Sequence, residues 1–203
     1  GLTLIKMYTG KLVSLLLYLH PVIINEKLIT MRLLKKIFFS LFIVALIFAC
    51  QEEEKTLEIS VNAKSGSSTS GKITFIEKGG QVTLEAHING LTAGNHAIHI
   101  HETADCSSDD GKSAGGHWNP TFENHGAWGN EAGYHRGDIG NFNANENGHG
   151  MITFSTDSWC LGCDDANKNI IGKAIIVHQG EDDLISQPSG AAGARVSCAG
   201  IIK

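Results

Sequence analysis

Ala97-Ile98-His99-Ile100-His101 reads as a β-strand, because apolar and polar side chains alternate through it. Successive strand residues point to opposite faces, so His99 and His101, two apart, aim their rings at a common point. Outward from this stretch, residues 57–63, 72–77, 81–89, 150–155 and 173–178 carry the same short strand pattern between Gly-rich turns. No long amphipathic helix competes with them. Short strands at this density predict an all-β chain, an antiparallel sandwich or barrel with long loops. Pro120 and Pro188 fall in loops, where the missing N–H costs no ladder hydrogen bond.

The loops carry the chemistry. Downstream of His99 and His101 come His117 in Gly-Gly-His-Trp-Asn-Pro, His125, and His135-Arg-Gly-Asp138, all in sequence rich in Gly, Asn and Pro. His178 then ends the β-branched run Ile175-Ile176-Val177. These six histidines and one aspartate form two overlapping sets of metal donors. An imidazole-only set at a rigid strand suits copper, and three imidazoles with one carboxylate suit tetrahedral zinc. Imidazole has two ring nitrogens, so a deprotonated His117 can bind a metal on each side and join the sets. Three other histidines stand apart: His87 reads as an outward strand residue, His149 as a turn residue, and His20 precedes the expected mature protein.

Three segments carry a resemblance: Gly94-Asn-His-Ala-Ile-His-Ile-His101, Gly115-Gly-His-Trp-Asn-Pro120 and Gly190-Ala-Ala-Gly-Ala-Arg-Val-Ser-Cys198. From about residue 57 to the C-terminus the chain resembles the copper,zinc superoxide dismutase family, in its bacterial form. The resemblance implies a Greek-key barrel, copper on His99, His101, His117 and His178, and zinc on His117, His125, His135 and Asp138. It further implies a disulfide between Cys106 and Cys198 and an active-site arginine at Arg195. Asp182 matches a carboxylate linking a copper ligand to a zinc ligand, and His96 matches a histidine that braces the site without binding metal.

These roles have physical reasons. A metal that alternates between two oxidation states can oxidise one superoxide and reduce the next, and the second step needs protons that a bridging imidazole can carry. His117 is then ligand and proton carrier together. Zinc, without redox chemistry, holds the loop and orients His117. A guanidinium at Arg195 would attract a small anionic substrate. The stretch between Asp182 and Arg195 contains no lysine, whereas many members of the resembled family carry a longer charged loop there. Lys112 is one candidate source of steering charge, although a solvated loop lysine is the favoured reading of it. A non-catalytic copper- or zinc-binding envelope protein on the same scaffold is the alternative function. A metal buffer has no need of an anion-guiding arginine.

Five cysteines are present: Cys50, Cys106, Cys160, Cys163 and Cys198. A Cys106–Cys198 bridge would close a loop of about ninety residues, for which chain entropy gives ~4–5 kcal/mol. Cys160-Leu-Gly-Cys163 is compatible with a redox pair, half of a zinc site or a local disulfide, and the last is favoured because no second C-x-x-C and no thioredoxin-like pattern accompany it.

At the N-terminus, Met31-Arg-Leu-Leu-Lys-Lys is a basic segment followed by an apolar core at residues 37–49, too short for a confident membrane span. It ends in Ile47-Phe48-Ala49-Cys50, resembling a bacterial lipoprotein cleavage box. The expected organisation is upstream sequence and signal peptide over 1–49, with the signal proper from about 31, then a tether over 50–56 lipidated at Cys50, and a dismutase-like domain over 57–203. A mature domain of roughly 150 residues suffices for one core. The expected location is the bacterial cell envelope, lipid-anchored and either periplasmic or surface-exposed. Superoxide is the expected substrate, a homodimer the protein assembly to test, and the membrane a partner only through the anchor. The net charge of −5 includes the leader, and no basic stripe or motif points to nucleic acid.

Overall fold

The computed structural model describes residues 31–36, 39–40 and 53–203. The chain divides into two compact units, Gly1–Gln51 and Glu52–Lys203. In the first, residues 31–36 and 39–40 are helical and exposed. The apolar segment 37–49 and Cys50 otherwise lie outside the described residues. No helix among the described residues is long and apolar enough to cross a membrane.

The second unit is built from eight strands: β1 Lys55–Ala63, β2 Ser70–Lys78, β3 Gln81–Asn89, β4 Gly94–His101, β5 Asp138–Ala144, β6 Gly150–Thr156, β7 Ala174–His178 and β8 Arg195–Gly200. They close into an antiparallel barrel in the order β1-β2-β3-β6-β5-β4-β7-β8. Strands β4, β5 and β6 neighbour one another in sequence order and β7 returns beside β4, which is a Greek key. β1 begins at Lys55 rather than at the expected 57, because Lys55 pairs with Glu77 in register and their charged ends meet at 3.1 Å.

Alternation sorts the side chains. Ile73, Phe75, Leu84, Ile88, Ile98, Ile100, Ile175 and Val177 fill the barrel interior. Trp118, Trp159, Leu161, Ile170 and Ile201 join that core from the loops and the chain end. The buried indole of Trp159 is satisfied, its Nε1 donating to the Arg136 carbonyl at 2.8 Å. Cys160 and Cys163 are bonded beside it, closing a local loop. A second, smaller cluster of Ala114, Ala174, Ile176 and Cys198 lies outside the barrel wall, where the loop after β4 folds back over β7 and β8.

Two strands escaped the sequence pattern. In β5 the ladder with β4 shifts register so that Ile139 is the extra residue of a bulge, next to Gly140 at φ +112°, and Asp138 and Ile139 are both buried. In β8, Ser197, Cys198 and Ala199 are buried in succession because the strand is covered on both faces.

Candidate metal centre

β4 places Ile98 and Ile100 inside the barrel, so His99 and His101 stand on its outer face. There they face β7, with His99 opposite Ile176 and His101 opposite Ala174. His178 closes β7 on that same outer face. His117 comes to the group by an isolated antiparallel bridge with His101, fixed by Trp118 N donating to Ile100 O at 2.8 Å. The donor atoms of His99, His101, His117 and His178 all lie within 4.8 Å of one another, as do those of His117, His125, His135 and Asp138. Every one of these residues is buried.

The hydrogen bonds decide which ring nitrogen each histidine offers. His99 spends Nε2–H on Asp182 Oδ2 at 2.8 Å, His101 spends Nδ1–H on the Gly115 carbonyl at 3.0 Å, and His178 spends Nδ1–H on the Gly193 carbonyl at 3.3 Å. What remains is His99 Nδ1, His101 Nε2 and His178 Nε2, each buried without a hydrogen-bond partner, together with His117 Nε2. Orphaned buried nitrogens are costly, and convergent lone pairs are what a metal ion satisfies. The donor chemistry therefore fits a soft or borderline metal on this side of His117.

On the other side Asp138 is the centre. Its carboxylate lies 2.8 Å from His117 Nδ1, 3.0 Å from His125 Nδ1 and 3.2 Å from His135 Nδ1, and it accepts backbone N–H bonds from His135 and Gly126. His117 thus turns one nitrogen to each set. Asp182, fully buried, accepts from His99 Nε2 on one oxygen and from His125 Nε2 at 2.9 Å on the other, so it ties a member of each set to a common carboxylate. Room for that carboxylate depends on Gly190 at φ +68°: a Cβ there would overlap Asp182 Oδ1 and press on His125 Nε2.

Beside the four histidines opens a cleft of about 430 Å³ lined by His101, His117, His178, Pro188, Gly193 and Arg195 among others. Arg195 faces His178 across the β7–β8 ladder. Its guanidinium is clamped, Nη1 donating to the Gly111 carbonyl at 2.8 Å and Nη2 to the Gly115 carbonyl at 2.7 Å. Gly115 therefore holds both the arginine and His101. The Cys106–Cys198 disulfide fixes the loop that carries these carbonyls to β8 itself.

The family model of copper/zinc superoxide dismutases matches residues 69–201. The chain belongs to that family. It is 36% identical over 134 residues to the extracellular superoxide dismutase [Cu-Zn] of Caenorhabditis elegans, an alignment covering 63% of this chain and 58% of the relative. The chain thus spans well under two thirds of that relative's length. Among solved structures it is similar to a double mutant of a SOD-like protein from Bacillus subtilis, with 28% identity, a TM-score of 0.62, and coverage of 72% of this chain and 97% of the other.

Electrostatics in this superoxide dismutase fold favour the neutral form of His101, His117 and His178. Burial pushes His117 down to about 4, against the opposing pull of Asp138, and His178 down to about 3; burial and the neighbouring His117 also hold His101 well below its ordinary value. For His125, burial is outweighed by Asp138 and Asp182, which raise it to about 9. Both carboxylates resist burial through their histidine hydrogen bonds and lie well below the usual range.

His96 stands on the opposite face of β4 from His99 and His101, with Nδ1 2.8 Å from the His178 carbonyl and Nε2 2.9 Å from the Thr92 carbonyl. Lys112 is exposed and paired with Asp110 at 3.0 Å. Sequence reasoning missed Gly111 and Gly115 as the arginine's acceptors, Gly190, and Gln187, whose amide grips both the N–H and the carbonyl of His125 at 2.9 Å. The three glycines act through backbone geometry, and Gln187 acts through a side-chain amide on backbone groups. The only signal they left is glycine and glutamine in loops.

Proposed function

We propose that this chain is a superoxide dismutase that holds copper on His99, His101, His117 and His178 and zinc on His117, His125, His135 and Asp138. The observation that carries the reading is the set of buried lone pairs left on both sides of one shared imidazole. When bound, copper supplies the one-electron redox change that oxidises one superoxide to dioxygen and reduces the next, while zinc supplies a redox-inert charge that orients His117. Reduction of superoxide to hydrogen peroxide consumes protons, and His117 Nε2, when it is not bound to the metal, would hold one beside the cleft and hand it over. Arg195, fixed by two carbonyls, attracts the anion and orients it without itself needing to move. Asp182 keeps His99 and His125 in the tautomers that the two sets require.

The setting follows the same reading. Two disulfides belong in an oxidising compartment, and the nematode relative is called extracellular, so this chain acts outside the cytoplasm. The proposal for the N-terminus is the lipoprotein leader over 1–49 with lipidation at Cys50, the folded domain following it in the cell envelope.

The test is dismutation by protein loaded with copper and zinc, metal content measured alongside, for wild type and Arg195→Ala. Expected are fast turnover in the wild type and a loss of roughly 10–100-fold in the variant at equal metal content, since focused charge raises on-rates by about 10–10³. Full loading without turnover would overturn the enzyme reading and favour a metal-binding role.

A further inference from the structure

His87 on β3 and His149 in the turn before β6 belong to no part of the centre described above, and the sequence gives no reason to connect them. The fold brings their rings together, with centroids 6.3 Å apart. That separation falls between the 6.1 Å of His117–His178 and the 6.5 Å of His99–His101, two pairs inside the four-histidine set. A third soft donor completes the group. Met151 is the direct cross-strand partner of His87 and is 56% exposed, so its thioether is accessible. Directly paired residues present their side chains on the same face with Cβ atoms about 4.5–5.5 Å apart, within reach of a flexible thioether. None of the side-chain hydrogen bonds found among the described residues engages either imidazole. The neighbouring cation does not oppose a metal, because Lys72, beside His87 on β2, is drawn to Glu58 at 2.7 Å.

We propose that His87, His149 and Met151 form a surface site for monovalent copper, distinct from the buried centre. Two imidazoles and one thioether are a soft, uncharged set, and thioether ligation selects Cu(I) over harder ions. The site lies on the β3–β6 seam of the barrel, whereas the buried centre is built on the β4–β7 seam, with β5 and its neighbours between them. An open, three-donor position of this kind binds and releases copper at the surface, while the buried set retains it.

The test uses the full chain with copper and zinc already loaded, titrated with Cu(I) against a chromophoric chelator. Wild type is compared with H87A/H149A and Met151→Leu. Cys50 is present in all three proteins, so differences between them exclude its thiol, and unchanged thermal unfolding checks the fold of the variants. The wild type is expected to take up one more Cu(I) per chain than H87A/H149A. Met151→Leu should weaken that uptake by about tenfold, equivalent to ~1.4 kcal/mol, and leave the zinc content untouched. Equal Cu(I) uptake by wild type and H87A/H149A would overturn the site, and an unchanged affinity in Met151→Leu would overturn its assignment to monovalent copper. Both readouts are independent of dismutase turnover.

Discussion

Asp182 accepts a 2.8 Å hydrogen bond from His99 Nε2, and both side chains are fully buried. The same carboxylate reaches His125 with its other oxygen, so one charged group sets the tautomer of a histidine in each donor set. A carboxylate does this because both of its oxygens accept. An amide offers one acceptor and one donor.

Asp182→Asn should therefore leave one of the two rings facing a donor and free to turn. Outer partners of metal-binding histidines typically contribute 10–100-fold in affinity, and a zinc-affinity loss of about that size is expected. Competition with a chromophoric chelator measures it. Unchanged affinity for both metals would mean that packing, not Asp182, holds the rings.

The Cys106–Cys198 bond spans 92 residues and pins the loop bearing Gly111 and Gly115 against β8, where Arg195 begins. Cys106→Ser should lower unfolding stability by ~2–5 kcal/mol. It should also free the carbonyl clamp on Arg195, so that turnover falls under conditions where the protein remains folded. Denaturant unfolding with parallel activity measurement checks both. A destabilised variant with full turnover would separate the disulfide from the arginine.

In the metal-free protein the histidines pull stability in opposite directions on the pH axis. His125, raised to about 9, contributes stability that is complete below its ordinary value of 6.5 and is lost as pH rises through 9. His117 and His178, depressed to about 4 and 3, contribute stability that is complete above 6.5 and is lost as pH falls toward those values, because the unfolded chain then binds protons that the folded one refuses. Metal-free protein should be most stable near pH 6.5, with Tm falling on both sides. Thermal unfolding across pH 3.5–10 tests this, and a Tm that climbs from 6.5 to 4 would contradict it.

How far the sequence revealed all this depended on where the information resides. Strands with one face in the core, such as β3 with Val82, Leu84, Ala86 and Ile88 inward, announce themselves by alternation. β5 and β8 do not, since a bulge next to Gly140 breaks one and two-sided burial hides the other. The seven residues that the fold gathers into two clusters were legible because imidazole and carboxylate are chemically conspicuous. Gly115 was not, because its contribution is a carbonyl oxygen that any residue possesses, aimed by a turn that only the fold defines. His87 and His149 were each legible as ordinary surface residues, and their proximity comes from the β3–β6 pairing alone.

Two metals on a single imidazole is the central expectation for this molecule. Anomalous diffraction from crystals of the loaded protein, recorded at the copper and zinc edges, tests it most directly. Copper should sit at His117 Nε2 among His99, His101 and His178, and zinc at His117 Nδ1 among His125, His135 and Asp138. A single ion, or two ions that leave either nitrogen of His117 unbound, would contradict it.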